Sequence, residues 1–250
     1  MKCYKIFKSF TLAEVLITLT IIGVIAALTI PNLMRNYRKH QRISEIKTAY
    51  SIIQNAVRLS VAENGDVRNW DYNQSTEFAT KYIMPYLKIQ KNCGRGPGVD
   101  SVGLINKDCF TTVNSNQCTW YSLDRALFND WGGYDSRWYY KVILENGMHL
   151  AIWAADKQNQ YPNKSYDIHV NYPKFVVDVN GGRGKTTAGI DVFMFYLDPK
   201  NGAVKGMIPL IQYGIYTCSK SSSLGAGLGC AGLIQNNSWT FPEDYPVKDF

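Results

Sequence analysis

The sequence predicts an α+β protein, with a long N-terminal helix followed by an antiparallel β-meander. Two observations lead to this fold class. Apolar or small residues recur at helical spacing from about residue 12 to residue 62. Short β-rich runs then follow one another in the second half of the chain, separated by turn residues. The amphipathic part of the helix is expected to lie on the sheet.

The predicted helix has two halves of different character. No charged residue occurs in residues 15–34, and residues 10–30 are long enough to cross a hydrocarbon core at about 1.5 Å per residue. Residues 35–64 are amphipathic, and Asn64 and Gly65 form a stop signal. Pro31, between the two halves, is expected to kink or loosen the helix.

The N-terminus reads as an export or membrane signal. Residues 1–9 contain three lysines and no acidic residue, and the apolar run follows directly. A cleaved secretory signal, with Ile25, Ala26 and Ala27 as the cleavage site, and a plain membrane anchor are two interpretations. Neither explains Glu14, because an unpaired carboxylate in a membrane helix costs about 2–3 kcal/mol or more. Glu14 is therefore a candidate functional residue that needs a cationic partner.

These residues resemble a known signature. The run KSFTLAEVLI at residues 8–17, the run IIGVIAA at residues 21–27, and Pro31 are similar to the prepilin-type cleavage and methylation signature. That signature belongs to type IV pilins and type II secretion pseudopilins. The resemblance implies cleavage between Ser9 and Phe10, followed by N-methylation of Phe10. The family usually has Gly where this chain has Ser9, and Glu14 matches the family's acidic residue.

The resemblance also implies a function and its partners. A prepilin peptidase/methyltransferase would remove the leader. Glu14 would then pair with the N-terminal amine of a neighbouring pilin or pseudopilin subunit. The precursor would cross the bacterial inner membrane once, with the leader in the cytoplasm and the C-terminal domain exported. Inner-membrane assembly machinery would build it into a periplasmic or cell-surface filament, as a structural subunit rather than an enzyme.

Four segments follow from these observations: a leader (1–9), a transmembrane or filament-core half-helix (10–34), an amphipathic half-helix (35–64) and an exported domain (65–250). Helices are predicted in that domain at 76–87 and 122–128. Strands are predicted at 138–144, 148–154, 168–179 and 190–197, with a hairpin turn at 145–147 and another turn at 198–202. A pilin-like fold is what the resemblance implies too.

The chain contains six cysteines, of which Cys3 lies in the leader. Disulfides are expected in an exported domain. We predict a Cys218–Cys230 disulfide, which closes a Gly/Ser-rich loop, and one further pair. That second pair lies among Cys93, Cys109 and Cys118, and a bond between Cys109 and Cys118 is preferred to one between Cys93 and Cys109.

Asp178, Asn180 and Asp191 are the candidate metal ligands. Closely spaced oxygen ligands near glycines suit Ca²⁺, and some pseudopilins bind calcium in such loops. Asx turns at strand ends are the preferred interpretation, and no other cofactor is indicated. The three histidines, His40, His149 and His169, form no recognisable catalytic motif, so we expect no enzymatic activity.

The net charge of +7 is unevenly distributed. Three basic residues lie in the leader, and residues 35–47 contain five basic residues and one acidic residue. The rest of the chain, from residue 48, has 19 basic and 18 acidic residues. The charge therefore indicates membrane-surface contact and does not support nucleic-acid binding by the exported domain. A DNA-uptake or ligand-binding minor pilin, and a secreted enzyme with an ordinary signal peptide, are the alternatives.

Overall fold

The computed structural model describes residues 11–95, 120–121, 139–154, 172–183, 186–209, 217–219 and 226–247. The predicted leader, Ser9, Phe10, Cys109, Cys118 and the predicted helix at 122–128 lie outside these residues. The chain divides into two compact units. The first comprises residues 1–41 with residues 249–250, and the second comprises residues 42–248.

Helix α1 (Leu12–Asn64) is 53 residues long and is the first element among the described residues. It continues without interruption across Pro31. Its end agrees with the predicted stop signal, because Gly65 adopts a φ of +78° that few other residues tolerate. The amide of Gly65 donates to the carbonyl of Val61 at 3.0 Å, which closes the last turn. The long helix predicted from the sequence is confirmed.

The second unit is built on a six-stranded sheet. Its strands, in spatial order, are β1 (Ile89–Arg95), β3 (Tyr140–Leu144), β4 (His149–Trp153), β5 (Lys174–Asp178), β7 (Val192–Leu197) and β8 (Val204–Gly206). Every neighbouring pair in this sheet is antiparallel. Two shorter strands, β2 (Trp120–Tyr121) and β6 (Thr186–Thr187), pair in parallel as a separate ribbon. The predicted α+β class is therefore correct.

Two turns lie where the sequence predicts them. Gly147, at the β3–β4 hairpin, has a φ of +84°, and its amide donates to the carbonyl of Leu144 at 2.9 Å. The turn between β7 and β8 is closed by Asp198, whose carbonyl accepts from Gly202 at 2.9 Å. The predicted helix at 76–87 is also present. It consists of α2 (Ser75–Phe78), a π-helical turn (Ala79–Ile83) and a 3₁₀ turn (Met84–Tyr86).

The second half of α1 packs on one face of the sheet. Its buried residues recur at helical spacing and are Ile46, Ala49, Ile53, Ala56, Val57 and Ser60. The Tyr50 ring lies 6.1 Å from that of Phe195 on β7. Gln54 fixes the helix to the edge strand, because it accepts from the amide of Val204 at 2.9 Å and donates to the carbonyl of Gly202 at 3.3 Å.

Helix α3 (Cys230–Asn236) packs against the β8 end of the sheet, where glycines allow a close approach. A Cβ atom on Gly206 would lie 2.5 Å from the carbonyl carbon of Ala231. The amide of Gly232 donates to the carbonyl of Met207 at 2.8 Å. Gly206 in turn donates to the Gln235 side chain at 2.7 Å. Backbone-to-backbone packing therefore holds α3 in place.

Candidate assembly site and its supports

Thr11 and Glu14 form a capping box at the start of α1. The Glu14 Oε2 atom accepts hydrogen bonds from the Thr11 amide and the Thr11 hydroxyl, each at 2.8 Å. The Thr11 hydroxyl accepts from the amide of Glu14 at 3.3 Å. This reciprocal pattern satisfies donors that the first turn of any helix leaves without partners. Glu14 thus has a local role besides the intersubunit role predicted for it.

The first half of α1 is an exposed apolar surface. An 18-residue window of this helix has a mean hydropathy of 2.3, and none of it is buried. By length and composition, α1 is the one helix among the described residues that could cross a membrane. The hydroxyls of Thr18, Thr20 and Thr29 donate to carbonyls one turn earlier at 2.8–2.9 Å. The polar groups of these threonines are therefore compatible with an apolar environment.

Pro31 lies inside α1, at the C-terminal end of the apolar half. A proline there removes one helical hydrogen bond, because it has no amide hydrogen to donate. The helix nevertheless continues on both sides of it. The bend predicted at Pro31 stays a prediction.

Arg42 connects α1 to the sheet within the second unit. Its guanidinium contacts Glu45 Oε2 at 2.7 Å and Asp191 Oδ1 at 2.8 Å. The Asp191 side chain is 7% exposed and the Arg42 side chain is 20% exposed, so the pair is largely withdrawn from water. Burial raises the pKa of Asp191, while the Arg42 charge and a hydrogen bond from Thr187 act in the opposite direction. Arg42 therefore stabilises the ionised form of a buried carboxylate.

Asp178 organises the turn after β5. Its Oδ1 accepts from the amide of Asn180 at 2.9 Å, and its Oδ2 accepts from the amide of Gly182 at 2.8 Å. The Asn180 side chain donates to the carbonyl of Arg183. The pKa of Asp178 is raised to about 6, mainly because the carboxylate is buried. This is an Asx-turn arrangement, the preferred interpretation of these residues from the sequence.

The three candidate calcium ligands therefore have other contacts. Asp191 binds Arg42 and the amide of Thr187, and the Asp178 and Asn180 side chains bind backbone groups of their own turn. Among the described residues, no group of three or more His, Cys, Asp or Glu side chains could hold a metal ion. Calcium binding stays a prediction that these contacts do not favour.

The predicted Cys218–Cys230 disulfide is present, with the two Cα atoms 4.8 Å apart. It ties residue 218 to the first residue of α3. Cys93, on β1, is also disulfide-bonded. Cys109 and Cys118 lie outside the described residues. Because Cys93 is bonded, the second disulfide among these three cysteines is better explained by a pair that includes Cys93 than by the Cys109–Cys118 bond preferred from the sequence.

Sequence reasoning did not single out Arg42, Gln54 or His149. His149 Nδ1 lies 3.8 Å from Asp178 Oδ2 on the neighbouring strand, and burial lowers the pKa of His149 to about 4. Of these three residues, only Arg42 could have been predicted from the sequence, because it lies four residues before the buried Ile46 and on the same helix face. The other two depend on long-range strand pairing.

These observations define a class of protein: one with an N-terminal apolar helix and an antiparallel β-sheet domain, in a pilin-like architecture. Residues 32–121 match DUF6613, a family of unknown function. The match covers less than half of the chain, from the end of the apolar half of α1 to β2. The chain is similar to this family over that range. No curated protein and no solved structure matches the chain.

Proposed function

We propose that the chain is a prepilin-like precursor, processed to a structural subunit of a type II secretion pseudopilus or a type IV pilus. The observation that carries the proposal is the exposed apolar half of α1, which has Glu14 in its first turn. A free apolar helix of this kind needs lipid or other helices around it. A filament core of bundled helices supplies the second environment.

Glu14 is the residue that would set the stagger between subunits. A carboxylate in an apolar helix bundle is costly alone and favourable when paired with a cation. Removal of the leader at Ser9 creates an amine at Phe10 that can supply this cation. Both bonds from Thr11 go to Oε2 of Glu14, and the described residues place no hydrogen bond on Oε1. The capping box and the intersubunit pair can therefore coexist.

The capping box gives Glu14 a simpler role, which substitutions can separate from assembly. Glutamine also completes a capping box, because its side-chain oxygen accepts the same hydrogen bonds. Glu14→Gln removes the charge and keeps the cap, while Glu14→Leu removes both. If the proposal holds, both variants lose the subunit–subunit cross-links that the unmodified chain forms in its own membrane. Normal cross-linking of Glu14→Gln would restrict Glu14 to helix capping and refute the intersubunit pair.

Processing is tested by mass spectrometry of the mature N-terminus. The proposal requires a prepilin peptidase/methyltransferase to leave N-methylated Phe10. A mature N-terminus after Ala27 would instead indicate an ordinary signal peptide and a secreted protein, such as an enzyme. An intact leader would leave a plain membrane anchor. The measurement thus separates all three interpretations of the N-terminus.

Location follows from the same proposal. We place the precursor in the bacterial inner membrane, with the leader in the cytoplasm and the sheet domain exported, before inner-membrane machinery builds the filament. The Cys218–Cys230 disulfide supports an exported domain, because such bonds form and persist in oxidising compartments. Labelling of single introduced cysteines from each side of the membrane tests this orientation.

A ligand-binding minor subunit is the second candidate, and a cleft in the second unit favours it. The cleft has a volume of about 420 Å³, within the range of small-molecule sites. It lies between α1 and the β3–β4 hairpin and is lined by Ile52, Asn55, Tyr86, Leu87, Lys88, Leu144, Glu145 and Asn146. Saturation-transfer NMR with sugars and short peptides would detect a ligand. Loss of that signal in Asn55→Trp, which fills the cleft, would assign the ligand to it.

A further inference from the structure

A basic segment follows the apolar half of α1 directly. It comprises residues 35–40 and contains Arg35, Arg38 and Lys39. No acidic residue occurs between Glu14 and Glu45 in the sequence. Arg35 and Arg38 are exposed and Lys39 is half-buried. This is the most concentrated positive charge among the described residues of the first unit.

The position of the segment fixes its depth relative to a membrane. If residues 15–34 occupy the hydrocarbon core, residues 35–40 lie at the level of the lipid headgroups. These six residues span about 9 Å of the helix axis at 1.5 Å per residue. Arg35, Arg38 and Lys39 have i, i+3 and i+4 spacing and therefore share one side of the helix. Tyr37 is 63% exposed and has the amphipathic ring typical of membrane interfaces.

We propose that residues 35–40 bind the phosphate-bearing headgroups of anionic phospholipids, with phosphatidylglycerol as the representative lipid. Clustered Lys and Arg beside a membrane span attract anionic lipids, and Tyr37 supplies an interfacial anchor. The inference rests on the membrane span in the proposed function, but it requires neither processing nor filament assembly. It also holds for either orientation of the span.

Spin-labelled lipids measure this preference on the full chain. The unmodified protein is reconstituted in phosphatidylcholine vesicles containing spin-labelled phosphatidylglycerol or spin-labelled phosphatidylcholine. Electron spin resonance gives the fraction of each lipid held at the protein surface. We expect phosphatidylglycerol to associate about 3 to 5 times more strongly than phosphatidylcholine, with the ratio falling as salt is added.

Two triple variants, each of which removes three positive charges, show where in the chain the lipid preference arises. Arg35→Gln, Arg38→Gln and Lys39→Gln together should bring the ratio to about 1, because the local charge is gone. Arg58→Gln, Lys81→Gln and Lys200→Gln remove the same charge from exposed positions of the second unit and should leave the ratio unchanged. Both triple variants keep the apolar span, so the total amount of lipid held at the protein surface serves as the control for insertion.

Four outcomes would overturn the inference. Equal association of both lipids with the unmodified chain would show that the segment has no headgroup preference. A preference that survives in the first triple variant would place the site elsewhere. If that variant loses salt-sensitive DNA binding while its lipid ratio is unchanged, the segment binds nucleic acid. If neither lipid is held at the surface, the span itself is wrong, whereas an unmethylated Phe10 would refute only the proposed filament role.

Discussion

The contact between Arg42 and Asp191 gives the sharpest test of how α1 is held on the sheet. Arg42→Gln removes the guanidinium and leaves the Asp191 carboxylate buried, with a hydrogen bond from the Thr187 amide. Asp191→Asn removes the buried charge instead, and leaves Arg42 in contact with Glu45. The two substitutions break the same ion pair but leave different groups behind.

Exposure sets the size of the two effects. Breaking a fully buried ion pair costs about 3–5 kcal/mol, and an exposed pair contributes about 0–1 kcal/mol. Because Asp191 is almost fully buried and Arg42 is one-fifth exposed, we expect Arg42→Gln to cost about 2–3 kcal/mol at neutral pH. We expect Asp191→Asn to cost about 1 kcal/mol, because Arg42 keeps contact with Glu45 and water.

Thermal unfolding of the full chain in detergent, followed by near-ultraviolet circular dichroism, measures these losses. For a unit of about 200 residues, Arg42→Gln should lower the Tm by about 4–12 °C. The loss should shrink as the pH is lowered, because protonation of Asp191 removes the buried charge that Arg42 compensates. Arg68→Gln is the matched control, since the Arg68–Asp66 pair is exposed and its loss should leave the Tm nearly unchanged.

Two results would refute this reasoning. Arg42→Gln could cost no more than Arg68→Gln, which would mean that the Arg42 contact adds nothing beyond a surface pair. The loss could also stay constant with pH, which would mean that Asp191 is not the group left without compensation. The double variant Arg42→Gln with Asp191→Asn should lose less stability than the sum of the two single losses, because each substitution alone already breaks the pair.

Three further predictions concern the second unit. His149 has a pKa of about 4 when folded and an ordinary value near 6.5 when unfolded, so the unfolded chain binds the proton more tightly. The stability that neutral His149 contributes should therefore be lost as the pH drops from 6.5 to 4, and His149→Gln should lack this contribution in pH-dependent urea unfolding. Replacing Cys218 and Cys230 by Ser should cost about 3 kcal/mol in the same assay, and an unchanged stability would show that the loop keeps its structure without the bond. Gly206→Ala should lower the Tm by several degrees, because the alanine Cβ would overlap the backbone of α3 and strain the core. An unchanged Tm would show that α3 can shift.

The sequence predicted the elements whose signals are local. The end of α1 could be read from Asn64 and Gly65, because a glycine with positive φ is a common helix stop. The β3–β4 hairpin could be read from Asn146 and Gly147 for the same reason. The amphipathic spacing from Ile46 onward gave the face of α1 that packs on the sheet. In each case the signal and the structure that it specifies lie within a few residues of each other.

The elements that were missed depend on distant partners. Strand β1 (Ile89–Arg95) has no apolar alternation, because it is an edge strand with two irregularities in its pairing to β3. The Gly-rich sequence of α3 predicts a loop. The helix is explained by its close approach to Gly206 and by the disulfide at Cys230. No local pattern encodes contacts of this kind.

The candidate site shows the same division. Glu14 stood out because a carboxylate in an apolar run is costly, and this physical argument needs no structure. The same four residues also match a capping box, with Thr11 as the cap and Glu14 three positions later, and the structure shows that pairing. The sequence alone therefore could not assign Glu14 to one role, since both roles place an acid at this position. The distinction lies in the charge: capping needs an acceptor oxygen, which glutamine also has, whereas an intersubunit pair with an amine needs the carboxylate.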